Sequence, residues 1–360
     1  MPLVDYRNLR RPEFHIDLRA PPAERWRAFG RELGDDLHAL LHDIVELCEE
    51  HLQGIPLQLR PLVRAAAHGT GRIAGRLLAT VAGWYGGDYV AEIKGLAAAA
   101  DAPFSQVFLS NLMYDLTQFG NRWNGASACS SFSCNVRGRP VLARNMDWCW
   151  PESIGRQTVL VRFHRGSQSY LSVGVVGLVG VLSAMYEGRW AVTLNQAPTD
   201  RLAIRLTQWP ALHRLRAACD GFGTFRGLVR RLSEYQTMSP FFAHVVGVQP
   251  DEHVVVSGMG RTFATRRKTA SALIQTNHFV DGDLEHLNPP QEFVDSDGAA
   301  WQDDSRPRYE ALQRRLRKLP RSLDEALTKL RGSPVTTDAT MQQMVLRPAT
   351  GKCRVLVRPQ

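Results

Sequence analysis

Apolar side chains recur every three or four residues through Phe29, Leu33, Leu37, Leu40, Leu41, Ile44 and Leu47, the spacing of one buried helical face. Pro21-Pro22 just ahead suits a helix entry. An alanine-rich helix is expected over about 89–100 and another over 104–119. Between them Arg60, Arg64, His68, Arg72 and Arg76 stand four apart beside Leu62, Ile73, Leu77 and Leu78. On a helix this is a basic stripe, read either as a solvated face or as a surface for anionic lipid headgroups. Gly69, Gly71 and Gly75 weaken that helix. After Asn124-Gly125 the period changes. Short β-rich runs are expected at 131–136, 140–143, 158–163, 170–176, 178–185 and 190–194. Arg137-Gly138, Arg165-Gly166 and Glu187-Gly188 read as hairpin turns between several of them. Helices return at about 204–219 and 224–236, then strands near 242–248, 253–258 and 270–276. Helices at 306–317 and 323–331 precede a hairpin turning at Thr350-Gly351. Strands, then helices, then strands again give an α+β class with antiparallel sheets.

Charge adds a division to this pattern. The 360 residues carry 44 basic and 35 acidic side chains, net +9, with 44% hydrophobic and 22% charged residues, which excludes wholesale disorder. Residues 1–128 hold 13 basic and 15 acidic side chains, net −2, and residues 129–360 hold 31 and 20, net +11. The chain therefore divides into a helical segment, 1–128, and a basic domain, 129–360. No signal-length apolar stretch opens it, and the most apolar run, 171–185, is broken by Gly174, Gly177 and Gly180. A cytoplasmic location is expected, unless a leader precedes the numbering. The six cysteines show no CxxC pair, and Cys129-x₄-Cys134 lacks a second pair for zinc. Walker, dinucleotide and RNA-binding motifs are absent, so neither a cofactor nor nucleic acid is expected.

The chemistry concentrates at Cys129. If the hairpin 131–143 turns at Gly138, facing positions sum to 276 and Cys129 lies opposite Asp147, about 5 Å away. Arg144 is three residues back, and pleating would put it on the other face unless a bulge intervenes. Arg144 could stabilise a thiolate; Asp147 alone would oppose one. Asp147 makes sense if it holds an ammonium, namely the α-amine of Cys129 freed by cutting the Ala128–Cys129 bond. Such an amine is a general base near neutrality. The small residues Gly125, Ala126, Ser127 and Ala128 leave room for self-attack. Arg144 and Asp147 could equally be an ordinary ion pair, Asn277 a turn cap, and His244, His253 or His278 the partner of a papain-like cysteine.

Cys129-Ser130-Ser131 followed by Ala143-Arg144-Asn145-Met146-Asp147-Trp148 resembles the cysteine N-terminal-nucleophile hydrolases of the choloylglycine hydrolase superfamily, and most of all its acid ceramidase and N-acylethanolamine acid amidase branch. Phe14-His15-Ile16-Asp17-Leu18 with Arg25-Trp26, Glu92 to Ala98, Gly177 to Leu182, Val192 to Asn195, Leu273 to Asn277 and Asp303 to Arg306 follow the same pattern in order. The resemblance implies a four-layer αββα core, a cut before Cys129, and two chains that stay associated. It implies hydrolysis of an N-acylated lipid or amine, without cofactor, with Cys129 as nucleophile and base. Arg144 would polarise the thiol and Asp147 anchor the amine. Asn277 and the backbone near Asn195 would form the oxyanion hole, and Arg306, or Arg308, would complete the network. Ser130 stands where Thr is usual and Gln196 where an acid is common. Two other outcomes compete: an acyltransferase of the penicillin-acyltransferase kind, and a basic membrane- or nucleic-acid-binding protein without turnover. The apolar run 174–185 would line an acyl channel, and an anionic membrane surface is a further expected partner.

Overall fold

The computed structural model describes residues 3–9, 11–50, 60–68, 85–116, 127–148, 153–199, 205, 207–268, 271–280, 282–288, 292–294, 300–302 and 305–358. Gly69, Arg72, Gly75, Arg76, Asn124-Gly125, Cys149 and Asp303-Asp304 lie outside these residues, so the far half of the basic stripe and the chain just before Ser127 are not described.

Strand-forming runs build two stacked sheets. One has the order β1 (Val4–Asp5), β16 (Lys352–Val357), β15 (Thr340–Arg347), β4 (Arg139–Trp148), β3 (Ser127–Val136), β12 (Ala272–Gln275). The other runs β11 (Thr262–Arg267), β10 (His253–Met259), β9 (Phe241–Val246), β8 (Trp190–Gln196), β7 (Ser183–Tyr186), β6 (Gln168–Val175), β5 (Thr158–Arg165), β2 (Glu13–Asp17). A separate pair joins β13 (Glu292–Val294) and β14 (Ala300–Gln302). The large-sheet pairings are antiparallel except β2 on β5.

Helices cover both outer faces, giving the four layers. On the first sheet, α8 (Ser305–Leu316) and α9 (Leu323–Leu330) bury Leu312, Leu316, Leu327 and Leu330 against Phe132, Cys134, Val136 and Val345. On the second lie α1 (Arg27–Glu32), α2 (Gly34–Glu50), α3 (Arg60–Ala67), α4 (Gly87–Ala99), α5 (Phe104–Leu116), α6 (Ala211–Cys219) and α7 (Phe225–Glu234). Leu37, Leu40, Leu41 and Ile44 of α2 are buried, each contributing roughly 1.5–3 kcal/mol. Leu142, Met185, Val246, Met344 and Leu346 fill part of the space between the sheets. No helix among the described residues is long and apolar enough to cross a membrane.

Several local expectations change. The periodic run from Phe29 to Leu47 forms two helices broken at Leu33, beside Gly34, a weak helix former. The first 128 residues are not purely helical: β1 pairs with β16, and β2 adds an edge to the second sheet with Phe14 and Ile16 inward and His15 outward. The expected helix at 204–219 begins only at Ala211, after Pro210. Of the run 178–185 only Ser183–Tyr186 pairs as strand. The loop before it opens with Gly177 at φ +79°, and a Cβ there would sit 2.5 Å from Leu37 Cδ1. Val179, Val181 and Leu182 of this stretch are buried in the core. Strand β11 escaped detection because, as a mostly exposed edge, it shows no apolar alternation.

A buried ionic cluster ties the acidic segment to the basic one. Arg216 Nη1 donates to Glu92 Oε2 at 2.5 Å, Arg25 Nη1 to Glu92 Oε1 at 2.6 Å and Trp26 Nε1 to Oε2 at 2.6 Å. Arg216 also lies over the Phe163 ring, 4.3 Å from its centroid. A second tie is Asp115 of α5, which accepts from the backbone N–H of Ala211 and from Ser239 Oγ. Burial pushes its carboxyl up to about 7, from an ordinary value of 3.8.

Two outcomes are expected. Glu92→Ala strips Arg216, Arg25 and Trp26 of their shared acceptor and leaves Arg216 only Asp220, 3.4 Å from its Nε, as counter-charge; it should cost about 2–4 kcal/mol in urea unfolding; a loss below about 1 kcal/mol would refute the lock. Folded Asp115 keeps a proton that the unfolded chain releases, so stability falls as pH rises from about 4 to about 7 and levels off above. Asp115→Asn should flatten that slope, read from urea midpoints across the window; parallel curves for the two proteins would contradict it.

Candidate active site

The β3–β4 hairpin turns on Arg137 (φ 51°) and Gly138 (φ 72°), a two-residue loop with both centres in the left-handed region. Val136 therefore faces Arg139, and facing positions sum to 275 rather than 276. Cys129 lies opposite Met146, and Asp147 opposite Ala128. This one-residue shift exchanges faces. Arg144, opposite Ser131, shares the face of Cys129 without any bulge in the hairpin, whereas Asp147 shares the opposite face with Asn145. The inner face of β3 carries Cys129, Ser131, Ser133 and Asn135, all aimed at the second sheet; the outer face carries Ser130, Phe132, Cys134 and Val136, against α8 and α9.

Both ends of Cys129 are held. Its backbone N–H donates to Asn277 Oδ1 at 2.7 Å, and Arg144 Nη2 donates to its Sγ at 3.3 Å. Arg144 is 1% exposed, and its other bonds go to neutral oxygens: Leu194 O (2.6 Å), Leu182 O (3.3 Å) and Ser183 Oγ (2.7 Å). No carboxylate pairs with it among the described residues. A buried guanidinium so placed can stabilise the negative charge that develops at sulfur when a nucleophile of this kind reacts.

Arg308 of α8, also buried, donates to Cys129 O at 2.9 Å, Ser130 Oγ at 2.9 Å and Asn277 Oδ1 at 3.0 Å. Asn277 follows β12; its N–H donates to Ser305 Oγ and its Nδ2 to Gln196 O. Asn195 donates through Nδ2 to Gln275 O (3.1 Å) and Thr276 O (3.2 Å), and its own carbonyl accepts from Tyr114 OH (3.1 Å). Burial, with the neighbouring Asp115 carboxyl and then the Cys129 sulfur adding to it, holds the Tyr114 hydroxyl far above its usual titration range, so it stays a donor. Asp147 is fully buried and accepts from Thr340 Oγ1 at 2.6 Å.

Cys129, Arg144, Asn195 and Asn277 are thus brought together, with Asp147 on the outer face of the same hairpin. Arg306 is not brought to this cluster: Arg308 occupies the place, one-half turn further along α8, where its guanidinium reaches β3. The Arg144–Asp147 ion pair considered above does not form, because the two side chains leave opposite faces of β4. His244 and His253 contact serines of β3, and His278 contacts Ser305 and Thr276; the cysteine bonds to none of them among the described residues. Tyr114 and Thr340 escaped the sequence reading, and Ser130 was noted there without a role. Only the family spacing of Arg306 and Arg308 carried a signal for the second arginine.

No protein-family model matches the chain. A Caenorhabditis elegans N-acylethanolamine-hydrolyzing acid amidase is 26% identical over 267 residues, 71% of this chain and 70% of that protein. Acid ceramidase of Heterocephalus glaber is 22% identical over 277 residues (71% and 64%), and that of Homo sapiens 22% over 200 residues (51% and 45%). The chain spans about half the length of several acid ceramidases it matches. Among solved structures, a Caenorhabditis elegans ortholog of N-acylethanolamine-hydrolyzing acid amidase is 21% identical, with TM-score 0.49, covering 61% of this chain and 93% of that one. A conjugated bile acid hydrolase of Clostridium perfringens is 10% identical, with TM-score 0.39 and coverage of 64% and 92%. The resemblance expected from the motifs is met by these sequence relatives.

The buried cation gives a direct expectation. Arg144→Met should slow alkylation of Cys129 by iodoacetamide at pH 7 by about tenfold or more, the worth of one lost charge interaction of about 1.4 kcal/mol. Arg306→Gln should stay within about twofold of the wild type. Equal rates for Arg144→Met and wild type, read by peptide mass spectrometry, would remove Arg144 from the thiol's chemistry.

Proposed function

We propose that this chain is an N-acyl amide hydrolase whose nucleophile is Cys129, exposed as an N-terminal residue by cleavage of the Ala128–Cys129 bond. The observation that carries the reading is the double hold on one residue: nitrogen on Asn277 Oδ1, sulfur on Arg144 Nη2. A structural cysteine needs neither. The relatives named as an N-acylethanolamine amidase and acid ceramidases support an amide joining an acyl chain to an amino alcohol as the substrate.

Maturation begins with Sγ attacking the carbonyl carbon of Ala128. The carbon–nitrogen bond to Cys129 breaks, its nitrogen takes a proton, and a thioester forms. Water hydrolyses that thioester to the Ala128 carboxylate and restores the thiol. The freed α-amine, with an ordinary pKa of about 7.7–8, takes the thiol proton in turnover. The thiolate, stabilised by Arg144, attacks the substrate carbonyl; the ammonium then hands its proton to the departing amine, leaving a thioester on Cys129. Water attacks this acyl-enzyme with the amine as base, and the acid leaves as carboxylate. Asn277 Nδ2 has a second hydrogen beyond its bond to Gln196 O, available to the oxyanion. Asp147 stands across from Ala128, the residue whose bond to Cys129 cleavage breaks, and would then hold the new ammonium. Arg308 keeps Asn277 and the Cys129 carbonyl in register.

Intact-mass measurement and a screen of N-acylethanolamines and ceramides of short and long chain test this together. Wild type should resolve into two chains, the second beginning at Cys129. Cys129→Ala should remain one chain without turnover, Cys134→Ala should behave within about threefold of wild type, and Arg308→Gln should lower kcat by about 10–100-fold. A two-chain Cys129→Ala protein, or one that still hydrolyses the amides, would overturn the assignment.

A further inference from the structure

Polar groups are scarce between stacked sheets, and buried ones need partners. Beneath Cys129 the interlayer space nonetheless holds a continuous line of them. Ser131 Oγ is 3.0 Å from His244 Nδ1, His244 Nε2 is 2.9 Å from Ser133 Oγ, Ser133 Oγ is 2.8 Å from His253 Nδ1, and His253 Nε2 is 3.1 Å from Asn135 Oδ1. Ser131, Ser133 and Asn135 occupy alternate positions of β3, so pleating alone lines them up; β9 and β10 supply the histidines. Ser131, Ser133, His244 and His253 are all fully buried.

One assignment of hydrogens satisfies the whole line. Asn135 Nδ2 donates to Pro250 O at 2.9 Å, which turns Oδ1 toward His253 as an acceptor. His253 must then carry its hydrogen on Nε2 and accept on Nδ1 from the Ser133 hydroxyl. Ser133 Oγ accepts from His244 Nε2–H, which leaves His244 Nδ1 as an acceptor for Ser131 O–H; the other acceptor in reach of that hydroxyl, Gln275 O at 3.1 Å, is already served by Asn195 Nδ2. The opposite polarity would set a bare His253 Nε2 against the Asn135 carbonyl oxygen. With its single hydrogen given to His244, Ser131 offers a lone pair to Asn195 Nδ2 at 3.3 Å. The two Nδ2 hydrogens of Asn195 are thereby directed at Ser131 Oγ and the Gln275 and Thr276 carbonyls, and a flipped carboxamide would place an oxygen against all three.

We propose that His244 and His253 are positioning residues of the active site: through Ser133 and Ser131 they fix the carboxamide of Asn195, which holds the two carbonyls immediately before Asn277 and so sets Asn277 against Cys129. The inference rests on the reading of Cys129 as nucleophile and extends it to two histidines that touch no reacting atom. Both histidines are held neutral by burial, which pushes His253 down to about 3 and His244 well below its ordinary value, with Lys268 and Arg266 nearby acting in the same direction. The line is therefore a fixed strut over the working pH range.

Nitrogen NMR of the wild-type protein should show both imidazoles neutral with the hydrogen on Nε2. In His244→Phe the Asn277 side-chain amide resonances should shift, and kcat should fall about tenfold or more with KM within about twofold. His244→Gln, which offers one acceptor and one donor, should restore most of both. Ser133→Ala, a smaller lesion, should lower kcat about three- to tenfold and serves where the phenylalanine variant does not fold. Hydrogen on Nδ1 of either histidine overturns the strut. So does a folded His244→Phe or Ser133→Ala protein with unmoved Asn277 resonances and wild-type kcat. Turnover by Cys129→Ala would instead defeat the functional reading, while the two resonance measurements, which need no substrate, still decide the strut.

Discussion

A strand has two faces, and in β3 each must answer to a different neighbour. The helix-facing side carries Phe132, Cys134 and Val136 and supplies apolar area to α8 and α9. The sheet-facing side carries Cys129, Ser131, Ser133 and Asn135 and places the polar chemistry where water is scarce. The two-residue turn at Arg137 and Gly138 fixes which residues fall on which side. A slip of one position would send the thiol toward the helices and Phe132 into the polar line. The site is thus a consequence of register, and register is guarded by the hydrophobic cost of exchanging faces.

Three buried arginines show three ways of keeping a cation out of water. Arg216 is answered by two carboxylates, Glu92 and Asp220, and by aromatic faces; its pair with Glu92 closes the acidic segment onto the basic one. Arg308 spans Cys129 O, Ser130 Oγ and Asn277 Oδ1, and so joins α8 to β3 and to the end of β12. Arg144 is answered only by neutral oxygens and by sulfur, an arrangement that leaves its charge available. Of the three, Arg144 is the one whose guanidinium touches the thiol.

The cysteine hairpin was legible because its signals are local: a turn dipeptide, alternating runs on either side, and a thiol with an arginine fifteen residues on. Reading the turn as centred on Gly138 rather than on Arg137-Gly138 put Asp147 opposite Cys129, an error of half a residue with a whole-face consequence. The α+β class was legible from the change of hydrophobic period near 125, whereas the four layers came only from the family resemblance. Strands β1 and β2 were not, since five residues or fewer at a sheet edge look like loop until the partner strand is known. Arg306 and Arg308 are two apart on one helix, and only the helix's rotation against β3 separates them. Asp147 and Thr340 meet through a bulge between Thr340 and Gln342, which no spacing rule encodes.

Β1 completes one sheet by lying along β16, the last strand of the chain, and β2 closes the far edge of the other by lying parallel to β5. The segment before residue 129 is therefore woven into both sheets and locked by Glu92 to Arg216. Should the bond at 128 be cut, folding would already have used a connection that no longer exists. The mature particle would be a knot tied with one rope and then severed in the middle: persistent while assembled, but without a route back once its two pieces drift apart.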